Sequence, residues 1–252
     1  MEVRIVGIDC ATDPRNVGYA FGRFVDGETT IEQVAIGTVR LTPLEAITEW
    51  LAENTGPTLI TLDAPLGWPA PLAEALQNHE AGRPLPTEAN RLFRRETDRV
   101  IRERTGKQSL DVGADRIART AHAGLKLLGE LRSDLADPIP LASSVPTSGR
   151  HAIEVYPAAT LAAHRIDARG YKATLGKKKR EWVLSQVEKR IAVRAVIPDL
   201  DRGSDGIDAA LCILAAHDFL LGTAIAPDEE TAYHTEGWIW VRDPCAARNQ
   251  DG

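Results

Sequence analysis

Thiols are scarce in this chain and poorly placed for chemistry. Its three cysteines, Cys10, Cys212 and Cys245, are odd in number and without metal-ligand spacing. That pattern excludes a disulfide scaffold and a thiolate metal centre, and makes a reducing cytoplasm the expected home. Positive charge is also in short supply: 30 Lys and Arg face 36 Asp and Glu, a formal net charge of −6. A protein that grips nucleic acid over a wide face is normally basic, so nucleic-acid contact here has to come from local patches, with bound cations offsetting any acidic site. Long hydrophobic runs are missing too. The longest mostly apolar stretch, Ile207 to Leu221, is broken by Asp208, His217 and Asp218, too short and too polar for a membrane span. There is no internal repeat and no low-complexity tract. Met1-Glu2-Val3-Arg4 runs directly into strand character without a secretory pattern, which again leads one to expect a cytoplasmic protein with no membrane partner.

With 252 residues, 43% hydrophobic and 26% charged, the chain suits a single domain over 1–252 carrying an insertion. Apolar runs predict strands at Val3–Ile8, Gly18–Val25 and Ile31–Val39, the last two joined by an Asp-Gly turn. Pro43 opens a helix with Leu44, Ile47, Trp50 and Leu51 at helical spacing, ending near Asn54–Gly56, and Thr58–Asp63 is a fourth strand. This β-β-β-α-β order lets the helix return the chain so that the fourth strand lies parallel to the first. From 68 to 148 no strand is expected. Helices over Asn90–Gly106 and Asp115–Leu131 suggest an all-helical insertion, closed by a Pro- and Ser-rich loop over Asp134–Arg150. In the first of these helices Arg91, Arg95, Asp98 and Arg102 should share one face. Strand character returns at His151–Pro157, helices follow around Trp182–Ile191 and from Asp205 to Leu221, and Glu236–Val241 reads as a short strand or edge piece.

The candidate chemistry is carboxylate chemistry. Asp9 and Asp63 each end a core strand, where an unpaired charge is costly; either alone could simply cap a turn by accepting backbone N–H bonds, but two strands ending alike point to a site. If those strands are neighbours, the two acids face each other at the sheet edge where open α/β folds bind ligands. Asp205 and Asp208 open the late helix at i, i+3. Macrodipole complementation accounts for Asp205, but Asp208 precedes Ala209–Ala216, a segment apolar on nearly every side and therefore buried. Asp208 needs a partner, and a divalent cation is a good one. Glu154, between Ile153 and Val155, either points to solvent or joins the cluster. Arg95 is a candidate phosphate contact, or part of a solvated helix face. The basic segment Gly170–Arg180 supplies Lys172, Lys177 and Lys178 as further phosphate contacts, against the alternative of a solvated patch. Cys10 adjoins Asp9 without a base placed to activate it, and reads as packing.

Asp9-Cys10-Ala11-Thr12, Leu62-Asp63-Ala64-Pro65-Leu66-Gly67, Arg95-Glu96-Thr97-Asp98, Glu154-Val155-Tyr156-Pro157, Gly170-Tyr171-Lys172 and Asp205-Gly206-Ile207-Asp208-Ala209-Ala210-Leu211 occur in that order, followed by Glu236-Gly237-Trp238-Ile239-Trp240-Val241. The ordered set resembles the domain-of-unknown-function family 429, described as predicted nucleases with an RNase H-like fold. The resemblance covers almost the whole chain. It implies a mixed sheet, three antiparallel strands and then parallel ones, flanked by helices. The wider RNase H-like superfamily places an acid on its first strand, another on its fourth and one or two at the start of its last helix. Carried over, these are Asp9, Asp63, Asp205 and Asp208. The superfamily's second acid is often Glu; here it is the shorter Asp63. The Asp-x-x-Asp-Ala pattern is also similar to that of Holliday-junction resolvases.

The expected function is a metal-dependent nuclease or related phosphohydrolase, with Mg²⁺ or Mn²⁺ held by Asp9, Asp63, Asp205 and Asp208, and Glu154 assisting. Its substrate would be DNA, RNA or a small phosphoester. Two alternatives stay open. Gly7–Thr12 followed by a hairpin is similar to the first phosphate loop of actin-like ATPases and sugar kinases, although a second Gly-rich loop and a second domain are not apparent. A non-catalytic nucleic-acid-binding module is the other.

Overall fold

The computed structural model describes residues 1–53, 56–113, 115–228 and 233–246. In chain order the strands and α-helices are β1 (Glu2–Asp9), β2 (Gly18–Val25), β3 (Glu28–Ile36), α1 (Pro43–Ala52), β4 (Thr58–Asp63), α2 (Ala70–Leu76), α3 (Ala89–Phe93), α4 (Glu96–Thr105), α5 (Asp115–Leu135), β5 (Arg150–Glu154), α6 (Pro157–Ala163), α7 (Lys177–Val187), β6 (Ala192–Val193), α8 (Asp205–Leu220) and α9 (Tyr233–Glu236). One mixed sheet runs β5-β4-β1-β2-β3-β6. β1, β2 and β3 are antiparallel in sequence, and β4 lies parallel to β1 with β5 parallel to β4. Helices cover both faces.

Local chemistry explains most of these elements. Asp26 and Gly27 both adopt positive φ, 48° and 93°, the twist that a two-residue hairpin needs. The turn is so tight that β3 begins at Glu28 and ends at Ile36, earlier than the Ile31–Val39 expected from apolar residues alone. Thr42 caps α1 in a full capping box with Glu45, and Pro43 sits at its first turn. α1 closes at Ala52; the end expected near Asn54–Gly56 falls partly on residues 54 and 55, outside the described residues.

Alternation along β1 sorts its side chains. Val3 and Ile5 belong to the core beneath α8, whereas Val6 and Ile8 belong to the core shared with α1 and α5. Gly7 and Asp9 therefore face α8. That helix is buried along nearly its whole length, and it packs so close to the sheet that two positions tolerate only glycine. A Cβ at Gly7 would stand 2.5 Å from the Ala209 carbonyl oxygen, and one at Gly18 would stand 2.1 Å from that of Asp205. This close approach brings the first turn of α8 down onto the end of β1.

Residues 68–148 carry α2 to α5 and no named strand among the described residues. The helix expected over Asn90–Gly106 is two helices. The chain is extended at Arg94 and Arg95, where the Arg95 N–H donates to the Asp98 carboxylate, so α4 starts afresh at Glu96. The shared face expected for Arg91, Arg95, Asp98 and Arg102 is broken by this kink. Other boundaries also move: α5 runs on to Leu135, β5 stops at Glu154, and α6 follows it directly, opened by Pro157. The tail makes single bridges, Glu154 with Ile239 and Ala224 with Arg242, and acts as an edge piece. Among the described residues no helix is long and apolar enough to cross a membrane.

Candidate functional site

Asp9 and Asp63 are direct cross-strand partners at the carboxyl ends of parallel β1 and β4, and neighbouring strands lie about 4.8 Å apart. Both are half-buried. Asp208 approaches from α8 and is fully buried. Tyr171 donates its hydroxyl to Asp208 Oδ1 at 2.8 Å, and the Lys172 ammonium lies 2.8 Å from Oδ2. Oδ2 is buried, and Lys172 is the partner that the structure gives it. Asp205 stands one turn earlier on α8, half-buried.

Tyr171 and Lys172 ride on a strap between α6 and α7, and the strap is pinned from behind by Arg180. The Arg180 side chain is fully buried. Its guanidinium donates to the carbonyls of Tyr171, Ala173 and Leu200 at 2.7–2.8 Å. In sequence Arg180 looks like the end of a solvated basic run; its neighbours Lys177 and Lys178 are indeed exposed. The last residue of the run is instead a clamp, and the only sequence cue is its helical offset from the Lys residues before it.

Acids so close together repel in low dielectric. Burial, and then the charges of Asp208 and Asp63, hold the Asp9 carboxyl far above the usual carboxylate range against the pull of Lys172. Burial lifts Asp63 to about 7; Lys172 opposes the rise, while Asp208 and Glu154 add to it. Asp205 is raised by burial and by Asp208. Burial alone would lower the Lys172 ammonium, but Asp208, Asp63 and Asp9 together raise it above its ordinary value. Burial and Asp208 keep the Tyr171 phenol protonated. Burial, with Asp63 and Asp9, also pushes the Cys10 thiol up, which removes it as a thiolate nucleophile.

The folded state holds protons on Asp63 and Asp9 that the unfolded chain, near 3.8, releases. Between about pH 4 and 7 the folded form therefore binds more protons, and stability falls as pH rises through that window. In EDTA, Asp63→Asn is expected to be more stable relative to wild type at pH 8 than at pH 5, read from urea midpoints. An identical difference at both pH values would show that Asp63 is not strained.

Glu154 lines the same cleft as Asp9 and Asp63 and raises Asp63, but its carboxylate is tied to Arg95. Its register partner on β4 is Leu62, one residue out of step with Asp63. It is buried in a fork-to-fork ion pair, Arg95 Nη1 and Nη2 each 2.7 Å from one carboxylate oxygen, while Oε2 also accepts from the Leu66 N–H at 2.9 Å. Arg95 also bonds both oxygens of Asp98 and the Glu236 carbonyl. Its side chain is 1% exposed. The guanidinium is thus fully engaged inside the protein, in place of the exposed phosphate contact that the sequence suggests. Glu236, not singled out in the sequence, accepts from the Ala70 and Glu96 N–H groups and binds the tail to the insertion.

Asp9 and Asp63 line a cleft of about 670 Å³, the size of a small-molecule site, and Asp205 and Asp208 lie outside its lining. Lys107, Gln108, Tyr156, Arg169 and Lys172 stand around it. Lys177 and Lys178 lie outside its lining. Among the described residues, no three Asp, Glu, His or Cys side chains already stand in ligating arrangement about one point. No curated protein matches the chain. Residues 7–232 match the family model described as "Protein of unknown function (DUF429)".

Proposed function

The chain belongs to the DUF429 family, and from that premise and the acidic cleft we propose that it is a divalent-cation-dependent hydrolase of phosphodiester or related phosphoester bonds, built on an RNase H-like fold. One observation carries the reading. Asp9 and Asp63 are paired in register at the sheet edge, and the buried Asp208 is brought down on them by the close packing of α8. Nothing in ordinary packing calls for this concentration of like charge, and several such pKa shifts in one cleft mark a functional site.

The donor set fits a hard cation in its chemistry. It offers carboxylate oxygens without His or Cys, as Mg²⁺ and Mn²⁺ prefer. Among the described residues, the buried Asp208 Oδ2 has only the half-exposed Lys172 ammonium beside it, a cation that such an ion could replace. Asp9, Asp63 and Asp208 would hold it, with Asp205 at the rim, after small side-chain rotations. When bound, the cation would polarise a phosphoryl oxygen and lower the pKa of a water. The protein's own groups do the rest. Tyr171 fixes the orientation of Asp208 through Oδ1. Lys172, half-exposed on the cleft wall, sets a positive charge against the substrate's phosphate oxygens. Lys107 and Arg169 offer further charge at the rim.

The test is direct. The purified chain is incubated with single-stranded and duplex DNA, with RNA and with bis(p-nitrophenyl) phosphate, in Mn²⁺, Mg²⁺ or EDTA. Cleavage of at least one substrate that requires the cation is expected. No cation-dependent cleavage across the panel, alongside a thermal shift with ATP, would favour a nucleotide-binding protein instead.

A further inference from the structure

We propose that Lys172 is the built-in counter-cation of the carboxylate cluster, and that a divalent ion enters by displacing its ammonium from Asp208. The proposal rests on the hydrolase reading above and concerns how the site is filled.

The two contacts to Asp208 fall on different oxygens. The Tyr171 hydroxyl donates to Oδ1 at 2.8 Å, whereas the Lys172 ammonium lies 2.8 Å from Oδ2. Removing the ammonium therefore leaves the bond that orients Asp208 in place. The two ends of the ion pair differ as well: the Lys172 side chain is 53% exposed and the Asp208 side chain 1%. The lysine alone has somewhere to go, and its flexible stem can swing toward the open cleft it already lines. The backbone need not follow, because Arg180 pins the carbonyls of Tyr171 and Ala173 on either side of Lys172. Lys172 also acts electrostatically on Asp9 and Asp63, so its charge bears on all three acids. Once released, the ammonium faces the cleft where the phosphate of a substrate would lie.

Mn²⁺ is titrated calorimetrically into the wild type, Lys172→Met, Lys172→Gln, Lys172→Arg and Asp9→Asn, each checked for a cooperative melt. Both neutral variants are expected to bind Mn²⁺ about tenfold more tightly than wild type, as removal of a unit charge a few ångströms from a dication implies in a half-exposed site. Lys172→Arg keeps the charge and stays near wild type, and Asp9→Asn loses binding. If the neutral variants bind no more tightly than wild type while Asp9→Asn still abolishes binding, the displacement idea falls and the hydrolase reading stands. If Lys172→Arg tightens binding as much as Lys172→Met, charge is not the competitor and the idea also falls. If neither wild type nor the neutral variants bind Mn²⁺, both readings fall.

Discussion

Asp9→Asn should lower cation-dependent cleavage by about 10²–10³-fold, the usual cost of removing a preorganised charge from such a site, while making the cation-free protein at least as stable as wild type. The two halves of this result have one cause. Asn keeps the shape of Asp but removes a charge that burial and the Asp208 and Asp63 carboxylates already strain. Without a divalent ion, Asp9 escapes repulsion only by holding a proton that the unfolded chain releases, and a neutral Asn has no such cost. With Mn²⁺ present the same carboxylate is a ligand, so the wild type should gain melting temperature by mass action and the variant should not. Wild-type and Asp9→Asn melts in EDTA and in Mn²⁺, together with initial rates, read both effects. Equal gains in melting temperature from Mn²⁺ would remove Asp9 from the site, and a strongly destabilised variant in EDTA would make Asp9 a structural residue.

Arg95→Met should destabilise the fold by about 3–5 kcal/mol, because it strands Glu154 and Asp98 as buried charges without their partner. For a chain of this size that corresponds to a fall of roughly 6–20 °C in Tm. The effect is large because Arg95 links four parts of the chain: α4 through Asp98, β5 through Glu154, the loop after Asp63 through the Leu66 N–H on Glu154, and the tail through the Glu236 carbonyl. Arg95→Lys should rescue little, since an ammonium cannot bond two carboxylates side by side. Pairing Arg95→Met with Glu154→Leu should recover part of the loss, because an apolar pair no longer leaves the Glu154 charge unpartnered. A loss under about 1 kcal/mol for the single variant, the range of exposed pairs, would mean that the pair is solvated in solution. The Arg95 variant also bears on activity, since the loop it steadies follows Asp63 directly.

Much of the site is legible in the sequence because short-range rules govern it. The Asp-Gly turn and the β-β-β-α-β order place β4 beside β1, and with it Asp63 beside Asp9. The unbroken apolar surface of Ala209–Ala216 buries Asp208. What the sequence hides are charged residues whose setting depends on distant segments. Glu154 sits in a strand as Asp9 and Asp63 do, yet its pairing with Leu62, not Asp63, sends it to Arg95. A slip of one residue reverses the face of every side chain, and no local pattern fixes that register for a fifth strand reached through a long helical insertion. Arg95 and Arg180 each stand in a charged stretch that reads as solvated in sequence, and each is buried.

Local periodicity and turn chemistry therefore determined the first four strands, the buried helix and three of the acids that meet. Only the tertiary structure decided which charges neutralise them. Ion pairs such as Lys172 with Asp208 and Arg95 with Glu154 join segments 36 and 59 positions apart, and their stability depends on burial that no single segment can achieve alone.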